Sequence, residues 1–106
     1  MKLITKEIEK RFEKYPLYSQ EGKFMDSVVV AKFFNPCGVG TWLITEGEKQ
    51  EDGDWLFFGY LHGFVGEWEW GYIMLSELQN LRLPFGLSIE RDLHIGKNPK
   101  VKDLIR

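Results

Sequence analysis

Over residues 1–15 the apolar positions recur every three or four residues, at Leu3, Ile4, Ile8, Phe12 and Tyr15, and Thr5 is placed to cap a helix. Pro16 ends the pattern, because a residue before proline is pushed out of helical geometry. Lys2, Lys6, Lys10 and Lys14 fall at every fourth position and make a basic, solvated flank. From residue 26 the chain turns strand-like. Residues 26–34 (DSVVVAKFF), 41–46 (TWLITE), 55–62 (WLFFGYLH) and 67–75 (EWEWGYIML) are rich in β-branched and aromatic side chains. Turn chemistry separates them: Asn35-Pro36 with two glycines, then Gly47 and an Asp-Gly pair, then Gly63 to Gly66. The second and third strands therefore read as a hairpin with a long loop. Ser76 and Gln79 match a capping box and start a short helix over 76–81, which Pro84 and Gly86 end. Residues 87–95 (LSIERDLHI) form a fifth strand, and 96–106 is a tail with at most one helical turn.

The pattern predicts a single α+β domain over residues 1–106. It is a mostly antiparallel, strongly curved sheet of about five strands over residues 26–95, with an N-terminal helix and a short helix before the last strand. Both faces of the sheet are apolar. Trp55, Phe57 and Leu61 oppose Leu56, Phe58 and Tyr60, while Trp68, Trp70, Tyr72 and Met74 oppose Ile73 and Leu75. Two short helices roof only one side. The other must curl closed, with Gly59 and Gly71 as bend points, or pair with itself or a partner.

The last strand places Arg91 on the apolar face of Leu87, Ile89, Leu93 and Ile95. A guanidinium there needs a carboxylate, and Glu46, on the face of Trp42 and Ile44 by alternation, and Glu69 are the candidates. Trp42, Glu46, Trp55, Trp68, Glu69, Trp70 and Arg91 are thus the expected interaction surface. Glu90, Asp92 and His94 leave the opposite face at about 7 Å spacing. Paired acids beside a histidine suit acid–base chemistry. The pattern shows no pocket or orienting group for it, and ordinary strand polarity explains the same residues.

Composition narrows the classes. Of 106 residues, 43% are hydrophobic and 28% charged, which excludes disorder, and no apolar run is long enough to cross a bilayer. The start is charged within a few residues and lacks a signal-peptide core, and the one cysteine, Cys37, allows no intrachain disulfide, so the expected compartment is the reducing cytoplasm. Net charge is −2, but between Glu46 and Glu77 eight acids stand against one base, Lys49. Base-stacking sheets carry basic neighbours. Here the aromatic strands travel with acids, which favours a basic protein partner or self-association over nucleic acid. Nucleic-acid binding by the lysine-bearing first helix is the remaining alternative. His62 and His94 lie far apart, residues 51–54 (EDGD) are too short for a calcium loop, and Gly38 to Thr41 lacks the Lys-Ser/Thr of a phosphate loop. No metal or cofactor is expected, and Cys37 reads as an incidental loop thiol.

The segments KFFNP, TWLITEGE, DWLFFGYLHG and EWGYIMLSELQNLRLPFGLSIERDLH resemble domain-of-unknown-function family 2958 over about residues 3–95. Matching positions are Lys32, Phe34, Pro36, Trp42, Thr45, Glu46, Phe57, Phe58, Gly59, Gly63, Glu69, Gly71, Tyr72, Glu77, Leu78, Glu90, Arg91, Asp92 and Leu93. A serine of the family pattern falls on Met74, which removes a helix cap that Ser76 can take over. The resemblance implies an accessory protein of plasmids, phages or other mobile elements and brings no catalytic residue with it. On these grounds the expected function is a non-enzymatic protein-interaction module, with a small enzyme using Glu90, Asp92 and His94 as the alternative.

Overall fold

The computed structural model describes residues 1–64 and 66–105. Helix α1 (Lys6–Phe12) begins where Thr5 Oγ1 accepts the Ile8 N–H, and acids in its first turn and bases in its last complement the helix dipole. Because Thr5 is the cap, Leu3 and Ile4 stand outside the helix, yet both are buried. Four strands follow, β1 (Ala31–Phe34), β2 (Thr41–Lys49), β3 (Trp55–His62) and β4 (Glu69–Met74), then α2 (Leu75–Gln79), β5 (Glu90–Arg91) and α3 (Val101–Leu104). The sheet is antiparallel and open, in the order β4-β3-β2-β1-β5. This is the α+β architecture read from the sequence.

Several boundaries move for local reasons. Residues 26–34 are not one strand: a 3-10 turn (Phe24–Asp26) precedes β1, and Val29 and Val30 lie between. Gly47 does not stop β2. It stays in the ladder opposite Phe57, where the Phe12 ring lies so near that a Cβ would sit 2.9 Å from it. Helix α2 starts one residue early. Glu77 caps the Met74 N–H at 2.9 Å, and Asp54, far away in sequence, accepts both the N–H and the hydroxyl of Ser76. The fifth strand shrinks to two residues.

Two hydrophobic clusters flank the sheet. On the first face α1, α2 and the Leu3–Ile4 segment enclose Phe33, Trp42, Ile44, Trp55 and Phe57. On the second face Val29, Leu43 and Val101 form a smaller core, joined by Met25, Tyr60, Trp68, Trp70, Ile95, Leu104 and Ile105. The C-terminal segment is therefore a plug. Val29 donates to the Pro99 carbonyl (2.8 Å), Val101 to that of Ser27 (3.0 Å), and Lys102 pairs with Asp26 at 2.7 Å. The second face is thus covered in part from within the chain, by α3 and the segment before β1.

Candidate functional site

The pairing of β2 with β3 slips between Ile44 and Glu46, leaving Thr45 as the extra residue of a β-bulge. Strict alternation would put Glu46 beside Trp42 and Ile44. The bulge instead pairs it with Phe58 and turns its side chain to the second face. Gly59, opposite Ile44, makes room: a Cβ there would lie 2.0 Å from the Leu43 carbonyl oxygen. The irregular backbone is satisfied by side chains. Thr45 donates its hydroxyl to the Phe58 carbonyl (3.2 Å), and the buried Gln20 amide donates to the Val28 and Thr45 carbonyls while accepting the Val28 N–H.

Glu46 is 3% exposed. Its two oxygens accept the backbone N–H groups of Tyr18 (2.8 Å) and Gln20 (2.9 Å). Tyr18 is left-handed, with φ 72°, and a left-handed residue of this kind lets alternate N–H groups converge on one anion. Phe24, further along the same loop, is left-handed too (φ 48°). The loop thus bends over the sheet, fastened by Glu46 and Gln20, without lying flat on it.

Between loop and sheet is a cleft of about 360 Å³, with Glu46 at its floor and Phe58, Trp70, Tyr72, Tyr18 and Phe24 around it. The ring of Trp70 stacks on Phe58 (centroids 6.0 Å apart) and meets the edge of Phe24 at 6.1 Å, and Tyr72 leans on Phe58 at 4.9 Å. Tyr60 and Trp68 prolong the row. Glu21 stands at the mouth, and among the described residues no lysine, arginine or histidine lines the cleft. The Tyr72 hydroxyl titrates above its ordinary value. Partial burial is the largest cause, followed by the neighbouring Tyr18 hydroxyl and by the charge of Tyr18, Glu46 and Glu21.

The chain is a member of the DUF2958 family, described as a protein of unknown function. The family model matches residues 3–105. No curated protein and no solved structure matches the chain. In this DUF2958 member Thr45, Glu46, Phe58 and Tyr72 meet at the cleft, and Lys32 and Asp92 form an ion pair at 3.4 Å.

The residues expected to share one surface divide. Trp42 and Trp55 are buried in the first-face core, whereas Trp68, Trp70 and Glu46 belong to the second face. Glu69 is exposed at the start of β4, opposite Leu61. Arg91 pairs with neither Glu46 nor Glu69. It sits at the sheet's rim opposite Phe33, its guanidinium donating to the Lys2 carbonyl and its N–H facing the Met1 sulfur at 3.1 Å. A backbone carbonyl from the N-terminal segment supplies what a carboxylate was expected to. Asp92 is engaged by Lys32 and accepts the His94 N–H in a local turn, and the two shallow clefts it lines include neither Glu90 nor His94. Tyr18, Gln20 and Phe24 escaped the sequence reading, since their loop has no period. Gly22 and the aromatics beside it were the available signal.

Proposed function

We propose that this protein is a non-enzymatic interaction module whose second sheet face docks a basic segment of a protein partner. The observation that carries the reading is the aromatic row of β3 and β4, left partly open over a buried carboxylate in a cleft with no basic residue among its described lining. Aromatic side chains give contact area at small entropic cost, and the acids set the sign of the partner's charge. The β4 strand adds to this, because it is an outer strand of the open sheet and carries Trp70 and Tyr72. The setting that the family resemblance supports is an accessory role for a mobile element in the cytoplasm.

Titration of the full chain with a lysine- and arginine-rich polypeptide, followed by tryptophan emission, tests the reading. Saturable quenching or a blue shift is expected, lost in Trp70→Ala and Tyr72→Ala proteins that keep their circular dichroism. No change with the basic polypeptide, or an equal response to single-stranded DNA, would sink it.

A further inference from the structure

We infer that the cleft over Glu46 is a cage for one alkylammonium group, the end of a lysine side chain presented by the partner. This rests on the docking reading above and deepens it. The walls are aromatic: Trp70 stacks on Phe58 and meets Phe24 edge-on, and Tyr72 and Tyr18 complete the lining. A cation beside an aromatic ring is attracted by the ring quadrupole, more strongly as water is excluded. The floor is a carboxylate. A carboxylate offers about four acceptor positions, and backbone N–H groups take two of those of Glu46. Ion pairs among the described residues lie elsewhere, joining Lys32 to Asp92 and Lys100 and Lys102 to Asp26. The negative floor is therefore held by dipoles alone among the described residues, and a second carboxylate, Glu21, guards the entrance.

The same bonds favour ammonium over guanidinium. An arginine grips a carboxylate with two parallel N–H···O bonds, one to each oxygen. Each Glu46 oxygen already receives a loop N–H, so the planar fork meets a half-occupied edge. A compact ammonium needs one acceptor and turns its remaining surface to the rings. At about 360 Å³ the cleft is near the small end of ligand sites, which suits a single side chain.

The test uses the full chain and short glycine–serine peptides that carry one lysine, one Nε-acetyl-lysine or one arginine, titrated by NMR with the Trp70 indole N–H as reporter. The lysine peptide is expected to bind at least about tenfold more tightly than the acetylated one, the equivalent of about 1.4 kcal/mol. It should also outbind the arginine peptide. Trp70→Ala, followed through the Tyr18 and Gln20 backbone N–H signals at the cleft, should abolish binding, and Tyr72→Ala, at a half-exposed position, should weaken it without disturbing the fold. Equal binding of the lysine and acetyl-lysine peptides, or preference for arginine, overturns the cage. If that happens while the basic polypeptide above still binds, the docking reading survives alone. If neither the polypeptide nor the peptides bind, both readings fall.

Discussion

The two faces of this sheet carry two tryptophans each and treat them differently. Trp42 and Trp55 lie under α1, α2 and the Leu3–Ile4 segment; Trp55 is in ring contact with Phe12 and Phe57, and Trp42 with Phe64. Trp68 and Trp70 lie beside a plug of one helical turn and a loop held off the strands by its own left-handed residues, and they stay half-buried. The strands supply similar rings to both sides. What differs is the cover: a helix with an apolar stripe closes a face, whereas an irregular loop anchored at two points leaves room beneath it.

The largest expected effect separates neighbours in β3. Phe57→Ala should cost about 3–5 kcal/mol in a urea titration, the range for a fully buried phenylalanine. Phe58→Ala should cost about half of the roughly 1.5–3 kcal/mol of complete burial, while removing the response to a basic polypeptide. Equal losses would mean that the second face is as closed as the first.

Next comes Glu46→Gln. An amide cannot accept at both of its positions, so the Gln20 or Tyr18 N–H would meet a donor. The loss should be about 2–3 kcal/mol, as for hydrogen bonds to a charged group, with faster hydrogen exchange at Tyr18 and Gln20. Unchanged exchange there would show that the loop is held by other contacts.

Val101→Ala should cost about 1–2 kcal/mol and shift tryptophan emission to the red as the plug loosens. A blue shift would contradict the position of α3 over the second face.

The smallest effect is a pH dependence. The Asp54 carboxyl is held below its ordinary value, chiefly by the Ser76 hydroxyl and also by the Trp55 and Ser76 N–H groups, with burial opposing. A lowered folded value means stability that is present above the unfolded value, about 3.9, and lost as pH falls through the folded one. Asp54→Asn should therefore lower the unfolding free energy read from a urea titration at neutral pH, by no more than the roughly 1 kcal/mol lost when a helix cap is replaced by alanine. The gap between wild type and variant should narrow as the pH falls below the unfolded value. A gap that stays constant through acid titration would remove Asp54 as the cap.

The contrast between the faces was only half legible in the residues. Alternation in 55–62 and 67–75 assigned the rings of β3 and β4 to their faces, because a period of two survives wherever the ladder is regular. It failed at Glu46, since one extra residue at Thr45 reverses every later side chain and a bulge has no composition of its own. Gly59 was readable as an irregularity, and the structure gives its reason in the nearby Leu43 carbonyl. Gly71, read the same way, has only a Leu61 methyl 3.9 Å from where a Cβ would stand, so nothing there demands glycine. The cover of the second face was hidden for a different reason. Val101 is fully buried through contacts with residues some seventy positions away, and neither α3 nor the loop over Glu46 has the periodicity that marks an element in advance. Arg91 shows the same limit, as its partner is a backbone carbonyl that side-chain chemistry cannot announce.

Collisional quenching of tryptophan emission tests the open, negative second face most directly, with Trp68→Phe and Trp70→Phe proteins assigning the signal. About half of the emission should be accessible, and caesium should quench that fraction more strongly than iodide at equal ionic strength, since the cleft draws cations. Four equally protected tryptophans, or iodide surpassing caesium at Trp70, would contradict the account.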